Sequence, residues 1–512
     1  MSQTVDTTAL APEPPPKTES HPPGLYALFT TEMWERFSYY GMRALLTLYL
    51  MKAIGYQEDG ALEIYAIYTG LAYLTPLFGG RIADLYLGQR KAVFVGGILM
   101  ALGQFTLMRP DLLSLGLGLM ILGNGFFKPN ISVMVGSLYA PDDLRRDGAY
   151  TLFYMGINLG AAISPWVTGY LANQFGWGYG FAAAGVGMIL GLFVFLFTQR
   201  TLQGVGLPPG REATPRATLT FRDWIQVTAV AASLAVAVYG AIEVWPTIRF
   251  LWSPSWLPAG FASFAYKAAI LVGIVVLFLL ATERKADEEM EALHQPFTAA
   301  DWQRLGVIVV MSLFSVLFWM GFEQSGGTLN IFADQKVDRV VFGREVTTEV
   351  FQSINPIFII VLASAFAALW TSLARRGVRI PSVAKQGVGL MLLGLALVVM
   401  YYAEQRAGVV GRVSPLWLVA VYFIFTVAEL FVSPIGLSLA NKLSHPRIAS
   451  LMMAFWFLCT AAANYMAGIV KYEIVQPNGY NLWIFLAAMS FFPGLLLLAL
   501  TPVLVKMSHG RV

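Results

Sequence analysis

The sequence is poor in the residues that build water-facing surfaces and reactive centres. Only 12% of its 512 residues are charged, with one cysteine and four histidines. Soluble domains carry about a quarter charged residues, so this share excludes a solvated surface over most of the chain. A single cysteine excludes an intramolecular disulfide. Cys459 lies in the apolar run FWFLCTAAA, where a small buried hydrophobe is expected. His21, His294, His445 and His509 all fall in predicted loops or tails, which excludes a histidine proton relay through the apolar segments. No H-E-x-x-H, G-x-S-x-G or G-x-x-x-x-G-K-[ST] occurs, and no Cys/His cluster has metal-ligand spacing. The sequence therefore points away from an enzyme, a nucleotide-driven pump or a metal protein, and no metal or organic cofactor is expected. A net charge of +4 is spread over loops, so nothing suggests a nucleic-acid partner.

What is abundant is apolar length. Hydrophobic residues make up 57% of the chain, and mean hydropathy is +0.63. Apolar runs of about 20 residues recur without period-2 alternation, so the expected class is an all-α polytopic membrane protein whose neighbour is the lipid bilayer. Spans are predicted near 27–50, 62–86, 92–108, 112–138, 149–172 and 180–198, then 224–244 and 262–282. A further six follow near 305–332, 350–373, 384–403, 415–439, 449–471 and 482–504, fourteen in all. The predicted organisation is a disordered tail (1–24), a six-helix bundle (25–199), a linker (200–223), two extra helices (224–283), a second linker (284–303), a second six-helix bundle (304–505) and a short tail (506–512). The proline-rich start APEPPPKTESHPPG lacks the basic head and apolar core of a cleaved signal peptide. The linkers are polar and read as soluble connections.

Lys and Arg flanking spans stay on the cytoplasmic side, and GQRKA, DDLRRD and ARRGVR are the strongest such loops. They place both termini in the cytoplasm. The loop holding Lys336, Arg339 and Arg344 runs against this trend, but Asp334, Asp338 and Glu345 accompany it.

Within the spans the chain keeps a few costly charges. Glu32, Glu35, Arg36, Tyr39, Tyr40 and Arg43 fall on one stripe of the first helix. Each charge at the bilayer centre costs about 2.5–3.5 kcal/mol, which forbids a lipid-facing stripe. The stripe is expected to line a polar cavity; the plainer alternative is two buried ion pairs that only lock helices together. Lys128, Glu323 and Glu429 are further intramembrane charges, joined by Tyr73, Asn158 and Asn355. Pro129 and Pro434 sit late in the fourth span of each set, and proline-broken helices at matching places in two halves point to a transporter's midplane site. Fixed cations and carboxylates in one cavity can hold a zwitterion, Arg and Lys taking its carboxylate and Glu its ammonium. G-x-x-x-G pairs at Gly156/Gly160 and Gly187/Gly191 are helix-contact devices.

Taken in order, EMWERFSYYG with Arg43, GGRIADLYLGQRK, GNGFFKPNIS, GAYTLFYMGINLGA, FWMGFEQ, FQSINPIFI and AELFVSPIGLS resemble the signatures of the proton-coupled oligopeptide transporters, a family of the major facilitator superfamily. The resemblance covers both six-helix sets, and two helices between the bundles are similar to bacterial members. It implies a major facilitator fold in a bacterial inner membrane and import of di- and tripeptides with protons as the coupling ion, with no obligatory protein partner. It further implies that Arg43 and Lys128 engage the peptide carboxylate, and that Asn158, Asn355 and Glu429 engage the amino end. Glu32, Glu35, Arg36 and Glu323 would couple protonation to gating, with Glu323 pairing to Arg43 and Lys128 bridging to Glu32 or Glu35. Tyr39, Tyr40, Tyr73, Trp319, Ser433 and Trp456 would line the pocket. Gly80, Asp84, Gly88, Arg90 and Lys91 would form a cytoplasmic latch. The residues alone leave open a carrier of another anionic or amphoteric molecule, or a receptor that binds without cycling.

Overall fold

The computed structural model describes residues 20–140, 143, 145–210, 218–252, 297–341, 343–378, 380–433, 442–445 and 448–510. The predicted second extra helix (262–282) and Pro434 lie outside the described residues, as do most of the first tail and of the second linker. The first bundle comprises α1 (Pro23–Tyr49), α2 (Glu58–Ile82), α3 (Gln89–Leu107), α4 (Leu113–Ser137), α5 (Arg145–Phe175) and α6 (Trp177–Thr198). After α7 (Phe221–Trp252), the second bundle comprises α8 (Ala299–Phe322), the short α9 (Thr328–Lys336), α10 (Ile354–Arg375), α11 (Ser382–Val410), α12 (Leu416–Val432), α13 (Ala449–Val470) and α14 (Leu482–Met507). Long helices thus stand at thirteen of the fourteen predicted spans.

Each set of helices closes on its own core. Buried apolar side chains from Leu25 to Ala231 form one continuous cluster, and those from Val307 to Leu504 form another. In the first, α1 is clasped between α5 and α6, and the two G-x-x-x-G pairs make this possible. A Cβ on Gly156 would lie 2.9 Å from the Phe29 ring, and one on Gly160 would lie 2.9 Å from the Phe37 amide nitrogen. Gly187 and Gly191 meet Phe37 and Trp34 of the same helix from the α6 side. Small residues admit this close approach where lipid gives helices no hydrophobic reason to associate.

The bundles meet chiefly along α2 with α13 and along α5 with α10 and the turn before it. Leu74 of α2 packs with Ala454 and Ala461 of α13 in a small seam of its own. At the end where α1 finishes, ion pairs join the bundles: Lys52 Nζ lies 2.6 Å from Asp334 Oδ1, and Lys471 pairs with Glu58. The loop after α9 carries a two-residue hairpin, Val340–Val341 with Arg344–Glu345. Its basic residues are partly neutralised, because Arg339 bonds Glu345 at 2.8 Å and approaches Asp334 at 3.7 Å.

Two expectations change. The span expected over 305–332 is not one helix: it breaks at Glu323 into a 3-10 turn (Glu323–Ser325) and resumes at Thr328. Gly326 and Gly327, adjacent at the break, are the sequence signal for it. The described residues of the linker 200–223 are partly docked on the first bundle. Leu202 and Leu219 are buried in the first core, and α7 begins within it at Phe221. Arg90 Nε donates to Val205 O at 2.7 Å, its amide donates to Gly206 O at 2.9 Å, and Lys91 bonds Gln226 at 2.6 Å and Asp223 at 3.3 Å. The latch motif therefore fastens linker and α7 to the first bundle. Gly88 belongs to this corner: its φ of 75° suits glycine, and a Cβ would sit 2.5 Å from Leu207 O. Asp84 accepts from Gln89 at 3.0 Å, and Gly80 packs beside Pro129.

Candidate functional site

The charges of α1 divide between two places. Glu32, Glu35 and Arg36 are essentially fully buried. Arg36 pairs with Glu35 through both carboxylate oxygens, one at 2.7 Å, and reaches Glu32 Oε1 at 3.2 Å and Asn124 Oδ1 at 3.4 Å. Asn124 is itself fixed, donating to Ala72 O at 2.7 Å. Seven positions along the helix, on the same face, Arg43 crosses to the other bundle and forms a hydrogen-bonded ion pair with Glu323. Its Nε donates to the Tyr65 hydroxyl at 2.7 Å, and its guanidinium lies 5.8 Å from the Tyr40 ring centroid.

The backbone break after α8 sets the position of Glu323. Thr47 donates to Gly326 O at 2.9 Å and Asn330 to Ala44 O at 3.1 Å, while Gln324 donates to Ala467 O at 2.7 Å. The Gly326 carbonyl at the break thus finds a partner on α1, Asn330 just beyond it caps an α1 carbonyl, and the turn is anchored to α13.

These groups border a cavity of about 210 Å³. Arg36, Tyr40 and Arg43 reach it from α1, Tyr73 and Lys128 from α2 and α4, and Asn158 from α5. Trp319, Glu323, Asn355, Glu429 and Ser433 reach it from the second bundle. Glu429 accepts from Asn355 Nδ2 at 3.0 Å, and Asn158 donates to Tyr154 O at 2.9 Å. A second, mostly apolar cavity of about 440 Å³ adjoins it through Tyr73, Lys128, Trp319 and Ser433, and Trp456 lines that one. It runs past Pro129 and Ser132 toward the end of the molecule opposite the Lys52–Asp334 pair.

Three placements differ from expectation. Tyr39 does not line the cavity; it is buried behind it, with the Arg36 guanidinium 5.0 Å from its ring centroid. Glu32 and Glu35 likewise lie beneath the lining, because Arg36 draws both inward. Lys128 does not bridge to Glu32 or Glu35: its Nζ lies 4.9 Å from the Tyr73 ring centroid. The consequence is visible at Glu32, whose Oε2 is buried without a hydrogen-bond partner. Sequence reasoning missed Tyr65, which orients Arg43, and Tyr154, Gln352 and Tyr422 of the lining. The only signal for Tyr65 is its place among the tyrosines of EIYAIYTGLAY.

Two helical bundles that enclose a cavity of paired charges at membrane depth define a polytopic transporter of the major facilitator fold. The chain belongs to the POT family, whose model matches residues 90–248 and 264–481. It is 35% identical over 470 residues to the peptide transporter YePEPT of Yersinia enterocolitica, covering 88% of this chain and 87% of that one. It is 34% identical over 459 residues to a di-/tripeptide transporter of Lactococcus lactis, covering 86% and 88%. A crystal structure of a peptide transporter POT in complex with sulfate matches with a TM-score of 0.76 at 33% identity, over 95% of this chain and 96% of that one. The chain is thus a multi-pass membrane transporter and not an enzyme.

Proposed function

We propose that this protein is a symporter that imports di- and tripeptides with protons, by alternating access of its two bundles around the central cavity. The observation that carries the reading is the Arg43–Glu323 pair, because it joins the bundles inside a cavity that also holds Lys128 and the Glu429–Asn355 pair. A short peptide is a zwitterion. Its carboxylate suits Arg43 and Lys128, and its ammonium suits Glu429 with Asn158 and Asn355 beside it. While Glu323 is ionised it occupies Arg43, and a peptide carboxylate must compete for the guanidinium. Protonation of Glu323 releases Arg43 to the peptide and removes the charge that ties the bundles. Glu32, Glu35 and Arg36 form the second gating cluster, in which Glu32 Oε2 is the open place for Lys128. The coupling ion is the proton, and no other cofactor or protein partner enters the reading.

The reading places the chain in a bacterial inner membrane with both termini cytoplasmic, as six helices, two and six. The Lys52–Asp334 and Lys471–Glu58 pairs then close the outer face, and the second cavity leads inward. Moving one charge through 100 mV supplies about 2.3 kcal/mol, roughly fiftyfold accumulation before any pH gradient is counted. The test is uptake of labelled dialanine into proteoliposomes with and without an inward proton gradient. Gradient-dependent accumulation that a protonophore collapses supports the reading. Displacement by nitrate or free amino acids better than by unlabelled dialanine would favour another amphoteric or anionic cargo, and binding without uptake would favour a receptor.

A further inference from the structure

A carboxylate outside the central cavity lies in the closed seam between the bundles. Glu349 belongs to the 3-10 turn Thr348–Ser353 that precedes α10, and it is 2% exposed. The turn packs against α5 of the other bundle, where Gly169 leaves room for it: a Cβ there would lie 3.0 Å from Glu349 Oε2 and 2.8 Å from Thr347 Oγ1. Both of those oxygens are buried without a hydrogen-bond partner. No ion pair reaches Glu349 among the described residues. The nearby Lys52 is engaged with Asp334 at 2.6 Å, and Arg339 is directed to Thr348, Glu345 and Asp334. From α5 the adjacent titratable group is Tyr170, which is exposed.

An ionised carboxylate shut into such a seam loses its water and gains no cation; the Thr347 hydroxyl can serve either protonation state, so the lost water and missing cation decide for the neutral acid. Opening the seam between α5 and the turn restores water to the carboxylate and removes the reason to stay neutral. We propose that Glu349 is a second proton-binding site, occupied when the outer seam is closed and emptied when it opens. The site lies apart from Glu323 and makes closure of the outer face itself proton-linked. The inference rests on the alternating-access reading above for which face is outer, and deepens it by adding a proton to the closed state.

Glu349→Gln, a neutral isostere of the protonated acid, provides the test in full-length protein. In lipid nanodiscs, the infrared difference between wild type and this variant should contain the carbonyl stretch of a protonated carboxyl at neutral pH. Spin labels at Gln57 and Asn478, exposed positions in different bundles at the end where α1 finishes, in a Cys459→Ser background, report the opening of the outer face. Raising the pH should lengthen the wild-type distance distribution, and Glu349→Gln should flatten that pH response severalfold, whereas Glu323→Gln shifts the baseline distance and keeps the response to pH. Gly169→Ala, which wedges the same contact, should lengthen the distance at all pH values and abolish the protonated-carboxyl band. A Glu349→Gln protein with no infrared difference and a wild-type distance response overturns the proposal. Failure of wild-type protein to transport dialanine would instead sink the transport reading and leave the distance experiment intact.

Discussion

Arg43 and Glu323, 280 positions apart in the chain, form one ion pair between the two bundles, and Tyr65 holds the arginine from its far side. Among the described residues no other ion pair at the central cavity joins the two bundles. The consequences can be measured one contact at a time.

Tyr65→Phe removes the hydrogen bond that orients Arg43 and leaves the ring in place. A hydrogen bond to a charged group contributes about 1.5–3 kcal/mol. The KM for dialanine should rise by about tenfold or more with a smaller change in kcat, measured as initial uptake over a range of peptide concentrations.

The Glu429–Asn355 pair is the expected seat of the peptide ammonium. Wild-type protein should favour dialanine over its N-acetyl derivative by about tenfold or more, the worth of a charge-assisted contact. In Glu429→Gln that preference should fall to within about threefold, measured by competition against labelled dialanine.

Lys52 and Asp334 form a contact between the bundles, at the end where α1 finishes, that is partly solvent-exposed on the lysine side. Exposed pairs contribute about 1 kcal/mol or less, so Lys52→Glu alone should change uptake by no more than roughly fivefold. The exchange Lys52→Glu with Asp334→Lys should restore it. Restoration by the double variant in counterflow assays identifies the pair as a clasp.

Gly88→Ala tests the corner that ties the linker to the first bundle. The residue needs a positive φ, and its added methyl would meet the Leu207 carbonyl. A loss of about 1–3 kcal/mol is expected, read as a lower Tm of the purified protein.

Much of this arrangement was legible in the sequence because membrane burial makes charge expensive. Glu32, Glu35, Arg36, Arg43, Lys128, Glu323 and Glu429 stood out from apolar runs for that reason, and all but Glu32 and Glu35 reach the central cavity. Tyr65 gave no such signal, since a membrane tyrosine is equally at home in packing. The inward retreat of Glu32 and Glu35 depends on where Arg36 turns, which spacing along one helix does not specify. Hydropathy read α8 through Glu323 as continuous, although Gly326 and Gly327 marked the break that positions the carboxylate. The docking of the linker gives little sequence signal because, among its described residues, Leu202 and Leu219 are the apolar side chains buried in the first core. Glu349 falls just before the predicted span at 350–373 and carries no sequence signal; its contact with Gly169 is what places it in the interior.

The central claim is that protonation of Glu323 frees Arg43 for peptide. It is tested most directly by comparing wild type and Glu323→Gln in proteoliposomes, following both gradient-driven accumulation of labelled dialanine and its counterflow without a gradient. The account predicts that the variant loses accumulation and retains counterflow. Accumulation in the variant at the wild-type level would contradict it.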